Sequence, residues 1–235
     1  RRWCGSVSAC RNKGCTMSIP VFSPRLWWSS LRRRWDLKHL QAPEFSYLFD
    51  PPPDDEWVCI DCETTGLNVA SDAIVSVAAV LVRGQRICTS QRLELVVQAS
   101  RNVPGESIRI HQLRQADVAA GVPLEQAMRA FLGFIGSRPL VGYYLEFDVG
   151  MINRAIRPLL GVGLPNRQIE VSALYYTYKL RQLPPEQQHD LAGIDLRFDT
   201  LMADLDLPVR SAHNALNDAV MAALAFVKLR KLLAD

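Results

Sequence analysis

The feature that most constrains this chain is a short apolar run that leads into two acidic residues. Residues 57–60 (WVCI) are apolar and partly β-branched, which predicts a buried strand that ends at Asp61. Glu63 follows two residues later, and Gly66 indicates a turn just beyond it. Side chains alternate between the two faces of a strand, so residues two apart share a face. We therefore expect the carboxylates of Asp61 and Glu63 to point the same way at the end of a buried strand.

Two parallel carboxylates at the end of a buried strand are costly to desolvate unless a positive charge lies between them. A divalent metal ion with oxygen ligands supplies that charge. The simpler alternative is that the strand end is solvated and that Asp61 and Glu63 are two ordinary surface acids. The rest of the chain supplies two further acids and a histidine in suitable contexts, which favours the metal site.

The size and composition of the chain suit one globular domain with a shorter appendage. Its 235 residues are 49% hydrophobic, which is enough for a sizeable core. No apolar run approaches the roughly 18–20 residues that a membrane-spanning helix needs. We expect the six cysteines to be free thiols in a reducing compartment, with Cys59 and Cys62 packed as small hydrophobic residues.

Positive charge is concentrated near the N-terminus. Residues 1–40 contain nine Lys and Arg and one Asp, whereas residues 41–235 contain 18 Lys and Arg and 23 Asp and Glu. The positive sign of the chain's formal net charge, +3, is therefore due to the N-terminal arm, because residues 41–235 have an excess of acids. A slightly acidic domain still binds nucleic acid when metal ions supply the positive charge at the site.

We assign residues 1–50 to a basic N-terminal arm that is partly disordered. The first methionine is Met17, and we expect residues 1–16 to be foreign to the natural protein. Within residues 17–50, the segment 26–35 (LWWSSLRRRW) suits a short amphipathic helix with a basic flank. Such a helix would touch a membrane surface, a nucleic acid or a partner protein, or its tryptophans would pack back on the domain. The lack of acids at the N-terminus also resembles a transit peptide.

The remainder, residues 51–235, is predicted to be an α/β domain that follows a stiff triple-proline linker. Strands over 74–83 and 86–97 flank a Gly-Gln turn and form a hairpin. Alternating helices and strands then predict a sheet of mixed direction with helices covering its faces. The other predicted elements are helices over 124–135, about 148–157, 200–205 and 214–233, a strand over 139–142, mixed structure over 169–180, and loops over 98–123 and 181–195.

Two more acidic residues lie where predicted elements meet the end of the sheet. Asp148 follows a strand and a turn, near the start of a helix, and its simpler interpretation is a helix N-cap. Asp218 lies in the first turns of the last helix, on a face of small apolar residues, and an acid on a packed face needs a cation. His213 lies on the loop before that helix, five residues from Asp218, where the alternative is an ordinary polar loop residue.

Together, residues 61–66 (DCETTG), Phe147-Asp148 and His213-x4-Asp218 resemble the three exonuclease motifs of the DEDDh 3′–5′ exonucleases. This superfamily includes the proofreading ε subunits of bacterial DNA polymerase III, RNase T and oligoribonuclease. The resemblance covers about residues 56–232, and three motifs in the right order are much more specific than each motif alone. It implies an RNase H-like fold, with a five-stranded mixed sheet and helices on both faces.

The resemblance implies a role for each acidic residue. Asp61, Glu63, Asp148 and Asp218 would hold two Mg²⁺ or Mn²⁺ ions, which stabilise the attacking and leaving oxygens of an in-line displacement. His213 would be the general base that takes a proton from the attacking water, a role that suits an ordinary histidine pKa near 6.5. The product would be a 5′-nucleotide released from a 3′ end.

The resemblance also implies substrate contacts. The expected contacts with the terminal nucleotide are Thr64, Thr65 and Gly66, and the expected apolar contact with its base is Leu67. Family members often have a His-Asn pair where this chain has Tyr143 and Tyr144, and we expect Tyr144 either to stack on a base, at about 1–3 kcal/mol, or simply to pack. The family's Ile-His-Gly segment is represented by residues 110–112 (IHQ), so His111 is expected to be structural or adjacent to substrate.

We therefore predict a metal-dependent 3′–5′ exonuclease that acts on single-stranded DNA, of the replication, proofreading or repair type, in the bacterial cytoplasm. Two alternatives stay open. One is the same chemistry on short RNA, because nothing in the motifs distinguishes an enzyme that recognises the 2′-hydroxyl of RNA from one that acts on DNA. The other is a nucleic-acid-binding module without turnover. The N-terminal arm is a candidate dock for a polymerase or another replication or repair protein, and no integral membrane segment is expected.

Overall fold

A mixed β-sheet with helices on both faces forms the centre of the molecule. The structure is a computed structural model, which describes residues 24–98, 121–184, 193–209 and 214–234, apart from the side chains of residues 24–30. In chain order the described elements are helix α1 (Pro24–Lys38), a 3₁₀ helix (Pro43–Phe49), strands β1 (Glu56–Thr64), β2 (Ile74–Arg83) and β3 (Arg86–Val96), helix α2 (Leu124–Ile135), strand β4 (Leu140–Gly142), helix α3 (Leu145–Leu160), strand β5 (Gln168–Glu170), and helices α4 (Val171–Gln182), α5 (Phe198–Asp204) and α6 (Ala215–Ala234).

The five strands have the order β3-β2-β1-β4-β5. The strands β1, β2 and β3 are antiparallel neighbours, whereas β4 and β5 run parallel to β1. The predicted α/β class and five-stranded mixed sheet are therefore confirmed. Because β1 is the central strand and the ends of parallel strands meet at one edge of a sheet, the end of β1 lies beside the connection from β4 to α3.

The sheet separates two hydrophobic cores, and β1 contributes to both. Val58, Ile60 and Cys62 belong to the core under α2, α3 and the 3₁₀ helix, whereas Cys59 belongs to the core under α4, α5 and α6. This division follows from the alternation of side chains along a strand. Cys59 and Cys62 are buried free thiols on opposite faces, as small hydrophobic residues should be. By the same alternation, Asp61 and Glu63 share the face of Cys59, which α6 covers.

Part of the expected N-terminal arm belongs to the core. Phe45 and Leu48 in the 3₁₀ helix are buried in the core under α2 and α3, and Leu48 has no exposed surface. The segment 26–35 lies within helix α1, as its pattern predicts. Arg33 joins this helix to the domain, because its guanidinium donates hydrogen bonds to the carbonyl oxygens of Pro165 (3.2 Å) and Asp50 (3.0 Å). The core thus begins before the boundary expected at residue 51, whereas residues 1–16 lie outside the described part.

The largest differences from the expected element bounds are in β1 and α3. Strand β1 continues to Thr64 instead of ending at Asp61, so both acids of the first motif belong to the strand itself. Helix α3 begins at Leu145 rather than at Asp148, and it continues past Pro158 to Leu160. A proline this close to the C-terminus removes only one backbone hydrogen bond of the helix, which is why it does not end there.

The burial of the 3₁₀ helix predicts that it stabilises the domain. Leu48→Ala should lower the free energy of unfolding by about 2–5 kcal/mol, because it removes a fully buried side chain and leaves a cavity. Leu37→Ala, at a side chain of α1 that is 44% exposed, is the matched control and should cost less than about 1 kcal/mol. Urea unfolding followed by circular dichroism measures both. Equal, small losses for the two variants would show that residues 43–49 do not contribute to the core.

Candidate active site

Three carboxylates converge at the end of the central strand. Asp61, Glu63 and Asp218 each place a carboxylate oxygen within 4.8 Å of the other two. Asp61 and Glu63 share one face of β1, and Asp218 lies in the first turn of α6, which packs on that face. Glu63 is buried, whereas Asp61 and Asp218 are partly exposed. The simpler alternative of two solvated surface acids therefore does not describe Glu63, which is buried.

The start of α6 is held by a cap that fixes the position of Asp218. The side-chain oxygen of Asn214 accepts a hydrogen bond from the backbone N–H of Asn217 (3.0 Å), as an N-cap residue does. The backbone N–H of Asp218 bonds to the carbonyl oxygen of Asn214 (3.0 Å). An acid in the first turn of a helix also interacts favourably with the positive end of the helix dipole.

The fourth acid reaches the same region from the opposite layer. Asp148 lies in the first turn of α3 and is only 4% exposed. It is not the N-cap of this helix, because Tyr144 occupies that position. Asp148 does not belong to the set of three oxygens that lie within 4.8 Å, but it is near enough for its charge to raise the pKa of Asp61. The structure thus brings together all four acids of the sequence prediction.

Glu170 is a positioning residue that sequence reasoning missed. It ends β5, and its carboxylate accepts hydrogen bonds from the backbone N–H groups of Tyr144 (3.1 Å) and Leu145 (2.8 Å). It also accepts from the backbone N–H and the hydroxyl of Ser172 (3.1 and 2.9 Å), and so caps α4 as well. One carboxylate therefore satisfies the exposed donors at the start of the helix that carries Asp148. In the sequence, Glu170 is a single acid that follows Gln168-Ile169, in a segment that was predicted only as mixed structure. Nothing in this pattern indicates a contact with residues 144 and 145.

Burial and repulsion by neighbouring carboxylates raise the pKa values of Asp61 and Asp148. The pKa of Asp61 is well above its ordinary value, first because the carboxyl is desolvated and then because Asp148, Asp218 and Glu63 repel its negative charge. Burial also raises the pKa of Asp148; a hydrogen bond from the backbone of Cys62 opposes that rise, and the charges of Glu63 and Glu170 add to it. At an effective dielectric constant of about 20, two like charges about 4 Å apart repel each other by about 4 kcal/mol. A bound cation would therefore relieve the repulsion within this cluster of carboxylates.

The donor set fits a hard divalent cation. Carboxylate oxygens are the ligands that Mg²⁺ and related ions prefer in proteins. One Mg²⁺ binds its ligands at about 2.0–2.1 Å, so ligand oxygens on one ion lie at most about 4.2 Å apart. The spacing of up to 4.8 Å among the oxygens of Asp61, Glu63 and Asp218 reaches that limit with small side-chain adjustments. These residues can therefore hold a divalent metal ion.

The turn after β1 is held by its own side chains. The hydroxyl of Thr64 donates to the carbonyl oxygen of Gly66 (2.7 Å), and that of Thr65 donates to Asp72 (3.2 Å). The Asp72 carboxylate lies so close to Gly66 that a Cβ there would be 2.6 Å from its oxygen, which is why glycine is needed. The turn leaves Leu67 81% exposed at the surface. A leucine this exposed beside the carboxylates suits contact with a ligand.

The two tyrosines that follow β4 have different surroundings. Tyr143 packs on Phe198, with ring centroids 4.6 Å apart, and its hydroxyl donates to the carbonyl oxygen of Leu196 (3.0 Å). Tyr144 is 67% exposed and stacks on Phe147. Its backbone has φ +56°, a left-handed conformation that is costly for a bulky residue and concentrates at functional sites. Of the two tyrosines, Tyr144 is the more exposed, and Tyr143 is half-buried.

Two histidines of the sequence prediction lie outside the described residues, namely His111 and His213. The chain is described again from Asn214, immediately after His213. Within the described part, no helix has the length and apolarity that crossing a membrane requires.

Comparison with known proteins links these residues to nucleases. The family model RNase_T, described as "Exonuclease", matches residues 58–226. The DNA polymerase III subunit epsilon of Aquifex aeolicus is 25% identical over 190 residues, which cover 80% of this chain and 87% of that protein. A DNA polymerase III subunit epsilon-like protein of Rhodobacter capsulatus is 28% identical over 187 residues, which cover 78% of this chain but 25% of that protein. This chain thus spans about a quarter of that longer relative.

The fold also occurs among solved nuclease structures. Exonuclease I of E. coli, in complex with a dT13 oligonucleotide, superposes with a TM-score of 0.60 at 15% sequence identity. The match covers 76% of this chain and 41% of the exonuclease I chain. At this level of identity the likeness concerns the fold, and it supports the predicted RNase H-like architecture.

The raised pKa of Asp61 predicts how stability depends on pH when no metal is bound. A carboxyl whose pKa is higher in the folded state stabilises the protein at low pH, and this stability is lost as pH rises above its unfolded-state pKa. In EDTA at neutral pH, Asp61→Asn should therefore melt higher than wild type, by about 2–4 °C for each kcal/mol of relieved repulsion. The difference should shrink as pH falls towards 4.

Differential scanning fluorimetry across this pH range measures that difference. Adding Mg²⁺ should reverse the order of the two melting temperatures, because only wild type retains the full ligand set. A variant that melts below wild type in EDTA at neutral pH would show that the carboxylates do not repel one another.

The bonds of Glu170 predict that its carboxylate stabilises the start of α3. Glu170→Ala should lower the free energy of unfolding by about 1–3 kcal/mol, because it leaves the N–H groups of Tyr144 and Leu145 without their acceptors. Glu170→Gln keeps one acceptor oxygen and should lose less. Urea unfolding of both variants measures the difference, and equal losses would show that the hydrogen bonds are not the cause.

Proposed function

Because this chain belongs to the exonuclease family, we propose that it is a metal-dependent 3′–5′ exonuclease that releases 5′-nucleotides from single-stranded DNA. The observation that carries this proposal is the convergence of Asp61, Glu63 and Asp218 within 4.8 Å, with Asp148 beside them. The family membership rests on a match that spans residues 58–226, which includes all four acids. The DNA preference is supported by the relatives named as DNA polymerase III subunits.

The four acids would hold two Mg²⁺ or Mn²⁺ ions, which when bound stabilise the attacking and leaving oxygens of an in-line phosphodiester displacement. Three elements hold these ligands. The central strand β1 supplies Asp61 and Glu63, and the helices on its two faces supply the others: α6 supplies Asp218 and α3 supplies Asp148. Glu170 is a positioning residue, since it touches the start of α3 and not the site itself. We propose His213 as the general base that takes the proton of the attacking water. It directly precedes Asn214, which caps the helix that carries Asp218.

The proposed seat of the terminal nucleotide is the surface beside these acids. A cavity of about 540 Å³ lies between the turn after β1 and the start of α3, and it is lined in part by Leu67, Tyr144 and Phe147. Leu67 and Tyr144 are the two most exposed large hydrophobic side chains of the described residues. We propose that they contact the base from two sides, while Thr64, Thr65 and Gly66 shape the turn that approaches the terminal sugar. A base sandwiched by apolar and aromatic groups is held without sequence preference.

A replication or repair protein is the proposed partner. The Aquifex aeolicus relative, which this chain covers over 87% of its length, is named as a subunit of DNA polymerase III. Proofreading needs a polymerase, and we propose that this chain supplies the exonuclease. That the N-terminal arm docks such a polymerase stays a prediction.

Digestion of 5′-labelled single-stranded DNA and RNA of equal sequence tests the proposed function. With Mg²⁺ or Mn²⁺, wild type should produce a ladder that shortens from the 3′ end, faster on DNA than on RNA. Asp61→Ala should lower the rate at least about 100-fold, because it removes a ligand from a site that contributes several kcal/mol of charge stabilisation. Asp54→Asn, at an exposed acid just before β1, at the opposite end of the strand, is the matched control and should retain the wild-type rate.

The outcomes separate the alternatives. A faster ladder on RNA would identify a 3′–5′ exoribonuclease with the same chemistry. Binding of either strand without cleavage at any metal concentration would favour a nucleic-acid-binding module. A wild-type rate in saturating EDTA equal to that in Mg²⁺ would overturn the metal-dependent mechanism.

A further inference from the structure

A groove with basic and aromatic walls lies away from the carboxylates, between α1 and the C-terminal half of α3. Its volume is about 540 Å³. The lining side chains that carry charge or an aromatic ring are Arg32, Arg33, Trp35, Asp36 and Arg157. Trp35 is 58% exposed, and Arg32 and Arg157 are also exposed. We call this groove the α1 subsite.

The walls of the α1 subsite are held in place by contacts that leave its exposed groups available. Arg33 is used structurally, since it bonds to backbone carbonyl oxygens of the domain and lies over the ring of Phe49. Trp35 stacks on His39 with ring centroids 3.8 Å apart, and a ring nitrogen of His39 is hydrogen-bonded to the carbonyl oxygen of Trp35 (2.7 Å). One face of the Trp35 ring is thus covered, and the ring is held ready for a partner on the other face.

The acid in this groove does not cancel its positive charge. Asp36 approaches Arg32 at 3.8 Å, and the side chain of Arg32 remains 83% exposed. An exposed ion pair of this kind contributes little, typically up to about 1 kcal/mol, so a phosphate can compete for the guanidinium. Arg157, at the far end of α3, adds a second exposed cation. The groove therefore offers two guanidinium groups beside an exposed indole.

A continuous surface connects the α1 subsite with the cavity beside Leu67 and Tyr144. The cavity beside Leu67 and Tyr144 and the α1 subsite share two lining residues, Asn153 and Gln168. Both cavities lie along α3. From Phe147 to Arg157 this helix rises about 15 Å, at 1.5 Å per residue. This distance is longer than a single nucleotide, so a ligand that reaches both cavities must be an oligonucleotide. A strand whose 3′ end lies at the carboxylates can therefore follow α3 to the α1 subsite.

We propose that the α1 subsite binds the single strand upstream of its 3′-terminal nucleotide, with Arg32 and Arg157 on phosphates and Trp35 stacked on a base. This inference rests on the proposed function for the direction of the strand. Charge supports it, because residues 41–235 have an excess of acids and the positive excess of the chain lies in residues 1–40. A basic groove with a stacking aromatic ring is how proteins bind single strands without reading their sequence. Helix α1 would thus be part of the substrate path.

Salt-dependent binding tests the α1 subsite. The measurement is fluorescence anisotropy of a 5′-labelled single strand of about 12 nucleotides on the full chain carrying Asp61→Ala, in EDTA, so that cleavage is negligible during the measurement. Adding Arg32→Gln and Arg157→Gln should weaken binding and flatten the slope of log affinity against log salt by about 1.4, or about 0.7 for each lost phosphate contact. Trp35→Ala should weaken binding about tenfold and leave the slope nearly unchanged.

Matched variants identify the cause of any loss. Arg86→Gln removes an exposed arginine at the start of β3, at the opposite edge of the sheet, and should change neither affinity nor slope. Arg32→Lys with Arg157→Lys keeps both charges and should restore most of the slope. Circular dichroism of each variant confirms that it is folded.

The length of the strand separates this inference from the proposed function. A dinucleotide has a single internucleotide phosphate and is shorter than the roughly 15 Å from Phe147 to Arg157, so the glutamine variants should lose much less affinity for it than for the longer strand. Equal losses at both lengths, or an unchanged slope on the long strand, would overturn the subsite and leave helix α1 to a protein partner. If wild type cleaves neither DNA nor RNA but the slope falls as expected, the proposed function fails and the subsite stands.

Discussion

The repulsion among four acids at one end of the sheet is the constraint on which the rest of the site depends. Asp61, Glu63 and Asp218 lie within 4.8 Å of one another, and Asp148 is buried beside them. No flexible arrangement would keep these groups together at neutral pH, because each would move apart into water. The frame holds them through backbone contacts: a central strand for one pair, the capped start of α6 for the third acid, and the capped start of α3 for the fourth.

The proposed binding groove and the candidate active site carry opposite charges. The domain is acidic overall, and its site gathers still more negative charge, so it does not attract a polyanion by itself. The exposed groups that line the nearby cavity include the uncharged side chains of Leu67 and Tyr144 and the acid Glu146. In the proposed function, metal ions would bring positive charge to one end of α3, and Arg32 and Arg157 supply it at the other end. A nucleic acid would thus be held at its two ends by charge and between them by apolar contact.

Strong local patterns made much of the fold predictable. The strand Ile74–Arg83 and the helix Leu124–Ile135 have the expected bounds, because a long β-branched run and a clear helical period leave little ambiguity. The end of β1 was not predictable, since Asp61 and Glu63 have poor strand propensity and only pairing with β2 keeps them in the sheet. The burial of Phe45 and Leu48 and the role of Glu170 depend on contacts between distant segments, which one sequence does not display.

The supply of ligands from both sides of the sheet has a consequence for how the protein unfolds. Asp148 belongs to the helix that covers one hydrophobic core, whereas Asp218 belongs to the helix that covers the other. An ion held between them would act as a cross-link between two cores that otherwise meet only through the sheet. It would make the two layers open together, so that amide protons in α3 and α6 exchange at one common rate rather than at two. The same ion would then serve both the reaction and the cooperativity of the fold.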